Sequence, residues 1–217
     1  MKIKNLSVGA AFAAAILTGS AASADVITFD TLPPGFFPTA TTLTEFGYNI
    51  AYTPTPGAFG EIGAPPGCSP ACASDGTNAF YSFNTGSLTI SATDGGPISI
   101  TALDAAQTFT MSDRVLDFTV TGLTEAATTV SEEFTTAPGG ADSFQTFNIT
   151  TPGFTDLVSF TIAGVGSYPT TEFAVDNLVV SGAAIPEPAT WAVMLAGFGG
   201  VGAAMRSRRR TAAAATA

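Results

Sequence analysis

Leu116-Asp117-Phe118-Thr119-Val120 and Val158-Ser159-Phe160-Thr161-Ile162 decide the fold. Each alternates apolar and polar residues with period two, so each buries one face and wets the other, as a half-buried strand does. Leu88-Thr89-Ile90-Ser91 and Ile98-Ser99-Ile100-Thr101 repeat the pattern. Further strand candidates are Val26 to Phe29, Phe46 to Tyr52, Ala79 to Phe83, Thr128 to Thr136, Phe144 to Thr150 and Phe173 to Val180. Turn signals separate them, among them Asp94-Gly95-Gly96-Pro97, Pro138-Gly139-Gly140 and Thr151-Pro152-Gly153. That makes about ten short strands, with no sustained 3.6-residue apolar stripe between them. With no helix to cover a sheet, the sheets must cover one another, which predicts an all-β, antiparallel β-sandwich of jelly-roll type. Thr and Phe dominate the strands because one face needs β-branched surface and the other aromatic core.

The strand-forming region runs from Asp25 to Ala184 and holds sixteen acids against one base, Arg114, a formal charge of −15. Nothing there can neutralise phosphates, so nucleic acid is excluded as a partner. The chain of 217 residues contains no His. That removes Ser-His-Asp and Cys-His catalysis, His-ligated zinc and a proton shuttle near neutral pH. The other six basic residues, Lys2, Lys4, Arg206, Arg208, Arg209 and Arg210, lie near the two ends.

Residues 1–24 read as a secretory signal peptide. Lys2 and Lys4 give a positive start, Val8 to Leu17 an apolar run, and Ala22-Ser23-Ala24 small residues for a signal peptidase pocket. Cleavage after Ala24 makes Asp25 the mature N-terminus. A first transmembrane helix is the competing reading, but the run is far shorter than the roughly 20 residues a bilayer core requires.

Residues 185–217 form a separate tail. Pro186-Glu187-Pro188 is followed by Trp191-Ala192, a Gly- and Ala-rich apolar run to Met205, and the basic cluster Arg206, Arg208, Arg209 and Arg210. Ala189 to Met205 would make about 25 Å of helix at 1.5 Å per residue, against a hydrocarbon core of about 30 Å. Its glycines weaken that span further. The arginines hold the C-terminus inside, which puts the Pro-Glu-Pro segment at the outer face of the membrane with the domain outside. A plain anchor has no use for a rigid Pro-x-Pro element, whereas an enzyme that cuts an extended segment does.

This order of motif, weak helix and Arg cluster resembles the PEP-CTERM sorting signal of Gram-negative bacteria. The resemblance implies delivery to an exosortase, a membrane protease or transpeptidase that processes its substrates at the motif, and export to the cell envelope, outer surface or extracellular matrix. The tail also occurs under the heading of ice-binding proteins, but no regular Thr-x-Thr ladder appears along this chain.

Thr53 to Ala73, rich in Pro and Gly, reads as a long surface loop. Cys68 and Cys72 lie inside it, and in an oxidising compartment they are expected to form a disulfide that stiffens the loop locally. A zinc or redox pair is the alternative, for which zinc would need ligands this chain lacks.

Asp176-Asn177 sits where the last strand changes phase, since Phe173 and Val175 share a face that Leu178 and Val180 then take over. That shift implies a β-bulge. With so many acids and no bases, a hard cation is the natural counter-charge there. The pattern also resembles jelly-roll carbohydrate-binding modules, and the resemblance implies a structural calcium held by Asp30, Asp75 and Asp176. The competing reading is that these aspartates cap turns and end strands.

No catalytic motif appears, and Glu132-Glu133, the only adjacent acids, would face opposite sides of a strand. The expectation is a non-enzymatic, structural or adhesive component of the exopolysaccharide layer. The alternatives are a carbohydrate-binding module and, third, a polysaccharide hydrolase. A binding module should expose aromatics, for which Tyr48, Tyr52, Tyr81 and Tyr168 are the only tyrosines.

Overall fold

The alternating stretches become strands in a computed structural model that describes residues 24–64, 67, 72–108, 115–137, 144–167, 171–182 and 197–198. In chain order these are β1 (Asp25–Ile27), β2 (Gly35–Phe37), β3 (Thr41–Glu45), β4 (Tyr48–Pro54), β5 (Phe59–Gly63), β6 (Ala79–Phe83) and β7 (Gly86–Ala92). Then come β8 (Ser99–Gln107), β9 (Asp117–Thr124), β10 (Thr129–Thr135), β11 (Gln145–Asn148), β12 (Leu157–Gly164) and β13 (Phe173–Ser181). Sheet A runs β11-β8-β13-β6-β5-β2, with β1 also paired to β13, and sheet B runs β10-β9-β12-β7-β4-β3.

The strand order itself makes this a jelly roll. Four antiparallel pairs, β6 with β13, β7 with β12, β8 with β11 and β9 with β10, lie alternately in sheets A, B, A and B. Each pair nests inside the previous one along the chain, which is a long antiparallel ribbon rolled into two four-stranded sheets. The first five strands widen both sheets.

The inward residues fill the space between the sheets. Phe118, Val120, Phe160 and Ile162 from sheet B meet Phe80, Leu103, Val175 and Leu178 from sheet A, all fully buried. Each such side chain contributes about 1.5–3 kcal/mol by leaving water. The expected bulge is present: the β13–β8 register shifts between Asp176 and Val179, and Asn177 takes a φ of 48°. Phe173, Val175, Leu178 and Val180 therefore all reach the core.

Several sequence expectations need correction. The stretch Thr53 to Ala73 is not all loop, because β4 extends to Pro54 and Phe59–Gly63 forms β5. Gly60 reads as a breaker, yet the Tyr52 and Phe80 rings occupy the space where its Cβ would lie, both at 3.0 Å, so the strand needs glycine there. Strands β2 and β3 escaped notice for lack of a clear apolar alternation. Phe46 is not in a strand; Phe46 and Gly47, with φ of 48° and 84°, form the tight turn of the β3–β4 hairpin. Phe29 and Asp30 lie past the end of β1, where Phe29 has φ 59° and its amide donates to the buried Glu45 carboxylate at 3.0 Å.

The signal segment up to Ser23, the motif Pro186 to Pro188 with Trp191 and Ala192, and Arg206 to Arg210 fall outside the described residues, as do Cys68, Arg114 and Tyr168. In the tail only Gly197 and Phe198 are described, as helical and exposed. Among the described residues no helix is long and apolar enough to cross a membrane.

Candidate functional site

The outward side of sheet A is covered. Register places Tyr81 opposite both Glu61 and Ala174, and Ala174 opposite Ala106, so these residues share the outer face. Residues 72–78, just before β6, fold back over this face. Cys72, Ala73, Ala79, Tyr81, Phe83, Ala106 and Ala174 form a second small core there, with Phe59 and Phe144 against it. Every residue of β6 is buried as a result. The Tyr81 hydroxyl donates to the Ala73 carbonyl at 2.9 Å, and Phe59 stacks on Phe83 at 4.6 Å. Burial and the nearby Asp75 carboxylate push the Tyr81 phenol above its usual range. Cys72 is disulfide-bonded, and the chain's other cysteine is Cys68. Glu61 accepts the Gly67 amide at 2.6 Å through Oε1, while its buried Oε2 has no partner. Burial raises this carboxyl against the opposing Gly67 amide.

Two of the three aspartates expected to hold calcium meet at the edge of this face. The Thr77 hydroxyl lies 2.6 Å from Asp75 Oδ1 and 3.2 Å from Asp176 Oδ2, and the Thr77 amide donates to the same Asp75 oxygen at 2.9 Å. A threonine hydroxyl has one hydrogen. It is donated across the short contact to Asp75, so a bond on the longer side requires Asp176 to carry a proton and donate it to Thr77. Asp176 is 1 % exposed. Burial first, and the Asp75 carboxylate after it, push its carboxyl up to about 8 despite the Asn177 amide bonded to it at 2.7 Å. For Asp75 burial is outweighed by the Thr77 hydroxyl and amide, and its carboxyl is lowered.

Asp30 joins only indirectly, accepting the Asn78 amide at 2.9 Å. Asp104, directly opposite Asp176 on β8, accepts from the Asn177 side chain at 2.9 Å and from Thr146 at 2.6 Å. One oxygen each of Asp30, Asp75 and Asp176, the Oδ1 in every case, and both oxygens of Asp104 thus accept from protein donors. Among the described residues no group of three or more His, Cys, Asp or Glu is placed to hold a metal ion. Asp75 and Asp176 are thus brought together through Thr77, while Asp30 stands apart from them on the Asn78 amide.

Sheet B is open on its outer side. One row crosses all six strands in register: Ser131 opposite Thr121, then Thr161, Thr89, Ala51 and Thr42. Its hydroxyls pair at 2.9 Å between Thr121 and Ser131 and at 2.8 Å between Thr89 and Thr161. The next row continues from Glu133 through Thr119, Ala163 and Ser87 to Thr53. Among the outward strand residues of this sheet only Asp117 and Glu133 are charged, both at the β9–β10 end. Sequence reading missed this array because its members come from six separate segments. A ladder along the chain is absent, and the ladder across strands exists only once the register is set.

Tyr48, Tyr52 and Tyr81, the tyrosines among the described residues, are buried and offer no binding platform. Among the described residues the exposed aromatics are Phe36 at 61 % and Phe46 at 46 %, besides Phe198. Phe36 lines a shallow depression of about 460 Å³ with Pro38, Gly57, Ala58 and Phe59 at the edge of sheet A. Glu132 and Glu133 face opposite ways as expected. Glu132 caps the turn after β11, accepting the Thr150 and Thr151 amides at 3.0 and 2.9 Å. These bonds, set against burial, lower its carboxyl.

Both ends of the domain leave from one pole. Asp25, which opens β1, pairs with Val180 near the end of β13, and β13 ends at Ser181. The tail follows after three further residues, Gly182, Ala183 and Ala184. The chain carries a PEP-CTERM protein-sorting motif at residues 184–210. The PEP-CTERM motif marks the protein for exosortase processing and for export to the surface of a Gram-negative cell. No curated protein matches the chain. Among solved structures, a DUF4465 family protein from Bacteroides ovatus is similar at 8 % identity and TM-score 0.42, covering 74 % of this chain and 99 % of that one. The family 11 carbohydrate-binding module of a Clostridium thermocellum cellulosomal cellulase is similar at 12 % identity and TM-score 0.34, covering 76 % and 97 %. The CBM22-1 and GH10 modules of a Clostridium thermocellum endo-1,4-beta-D-xylanase, complexed with xylohexaose, give 12 % identity and TM-score 0.40 over 72 % of this chain. The present chain spans only 28 % of that xylanase chain's length. The jelly-roll assignment stands on strand order alone.

Proposed function

We propose that this PEP-CTERM protein is a structural or adhesive component of the cell surface or extracellular matrix, released into place by exosortase processing at Pro186-Glu187-Pro188 and acting without catalysis. The observation that carries the reading is the direct junction of β13 to the sorting motif, with β13 ending at Ser181 and the motif match beginning at residue 184. A domain delivered this way emerges at the membrane with no long linker, tethered at the pole where β1 also begins. Its payload is a closed sandwich whose acids carry much of its surface chemistry. Signal peptidase cutting after Ala24 would leave Asp25 to start β1, where the Tyr48 hydroxyl already donates to its carboxylate at 3.2 Å.

A carbohydrate-binding role is the second reading, supported by the exposed Phe36 and its apolar depression beside Phe59. The processing reading is tested by intact mass of the protein from wild-type and exosortase-deficient cells, and of a variant with Ala-Ala-Ala replacing Pro186-Glu187-Pro188. The expected mature chain begins at Asp25 and is trimmed at its C-terminus only when both motif and exosortase are present. Normal trimming of the triple-alanine variant would overturn the role given to the motif.

A further inference from the structure

We propose that residues 72–78 are a proton-operated cover, closed on the outer face of sheet A while Asp176 keeps its proton and released from it as that proton is lost, with the sandwich beneath left folded. The geometry of the latch sets the device. Asp176 is 1 % exposed, and its Oδ2 meets the cover at the Thr77 hydroxyl, 3.2 Å away, whose single hydrogen is already given to Asp75. Only the acid form of Asp176 can close that contact. Its surroundings supply no positive charge: Asp75 faces it from the cover, Asp104 from β8 and Tyr81 from β6, with Asp30 beyond Asn78 and Glu61 on β5, and no described residue is basic. Losing the proton therefore leaves a buried anion beside the Asp75 carboxylate, with no donor on the cover side.

The cover can part from the sheet without breaking the main core. Its buried side chains, Cys72 and Ala73, belong to the small second core and not to the cluster between the sheets. Side chains this small contribute little by burial, so polar contacts hold the segment down. These are the Ala73 amide on the Thr108 carbonyl at 3.3 Å, the Tyr81 hydroxyl on the Ala73 carbonyl at 2.9 Å, the Asn78 amide on Asp30 at 2.9 Å, and the Asp176 latch. Inside the cover the Gly76 amide donates to Ser74 Oγ at 3.3 Å, and the Thr77 amide and hydroxyl both donate to Asp75. The segment is thus bonded to itself and opens as a unit, still tethered by the Cys72 disulfide. Release uncovers Tyr81, Phe83, Ala106 and Ala174 and hydrates Asp176. In the closed form burial first, then the Asp75 carboxylate, push the Asp176 carboxyl from 3.8 up to about 8, and in water it returns to its ordinary value. The open form then binds fewer protons, so its population rises about tenfold per pH unit and levels off above pH about 8.

The test is amide hydrogen exchange of the intact exported protein, read by mass spectrometry across the alkaline and acid sides of neutrality, with β12 in the main core as the internal reference. Asp176→Asn supplies a latch that is neutral at every pH and still donates to Thr77. The ratio of wild-type to variant exchange at residues 73–78 cancels both the intrinsic pH dependence of exchange and the titration of other groups. It is expected to climb about tenfold per pH unit and to flatten above pH about 8, while β12 exchanges far more slowly than the cover in both proteins. A flat ratio overturns the role of Asp176. A cover that exchanges no faster than β12 overturns separate release, because it then opens only when the whole domain unfolds. Asp75→Asn, at an exposed position that can still accept from Thr77, serves if the first variant does not fold. It removes a charge that holds the Asp176 carboxyl up, so its exchange, corrected for the intrinsic rate, should flatten at a lower pH than that of the wild type. An unchanged flattening point would overturn the electrostatic latch.

Discussion

The two sheets were built from the same alternating pattern, yet their outward faces have become different surfaces. Outside sheet A, residues 72–78 cover Tyr81, Phe83, Ala106 and Ala174, and carboxylates such as Asp176 and Glu61 are buried with them. Outside sheet B nothing among the described residues covers the strands, and Thr and Ser stand half-exposed in rows. The difference teaches where stability and contact are divided in this molecule. A face with a second core holds the fold together at the cost of burying acids, whereas a face of small hydroxyl residues contributes little to stability and is free to meet a partner.

The largest effect should separate these faces directly. Tyr81→Ala empties the second core and orphans the Ala73 carbonyl, and is expected to cost about 3–5 kcal/mol in denaturant unfolding. Thr119→Ala on the open face should cost no more than about 1 kcal/mol. Comparable losses at the two positions would mean that the faces are not divided as described.

A smaller effect belongs to the buried carboxyl pair. The Asp176 carboxyl is raised from its ordinary 3.8 to about 8, so its contribution to stability is fully present below pH about 4 and is lost as pH rises through about 8. Asp75, lowered from 3.8, contributes above that value and loses its contribution as pH falls. Asp176→Asn places a permanent donor where the proton sits. Thermal unfolding from pH 5 to 9 should therefore show the wild type losing several degrees relative to the variant at the alkaline end. Parallel curves for the two proteins would place the pH dependence in other groups.

The smallest effect concerns calcium. With Asp30 bonded to Asn78 and both Asp176 oxygens engaged, millimolar calcium should raise the melting midpoint no more than sodium chloride of matched ionic strength. A larger calcium shift, abolished by Asp176→Ala, would show that a cation displaces the Asp176 proton and binds at this corner.

The candidate regions were unequally legible. The bulge at Asp176-Asn177 could be read because the apolar phase of Phe173, Val175, Leu178 and Val180 breaks visibly in the sequence. The strand β5 could not, since Gly60 looks like a breaker until Tyr52 and Phe80, distant in sequence, are found lying over it. The meeting of Asp75 with Asp176, bridged by a Thr77 contact that spans 99 residues of chain, left no local trace.

By itself the sequence determined the all-β class, the two-sided character of the strands, the absence of histidine chemistry, and the sorting motif with its Arg cluster. Each of these is a property of composition or of neighbours within a few residues, and period-two alternation needs no knowledge of what lies opposite. The tertiary structure alone decided which strands are adjacent, and so everything that depends on register. That includes the nested pairing that makes the jelly roll, the covering of sheet A by residues 72–78, the meeting of Asp75 and Asp176 through the Thr77 hydroxyl, and the hydroxyl row of sheet B. The physical reason is that a strand leaves half its hydrogen bonds and one whole side-chain face to be completed by segments far along the chain, and local sequence does not encode which segments those are.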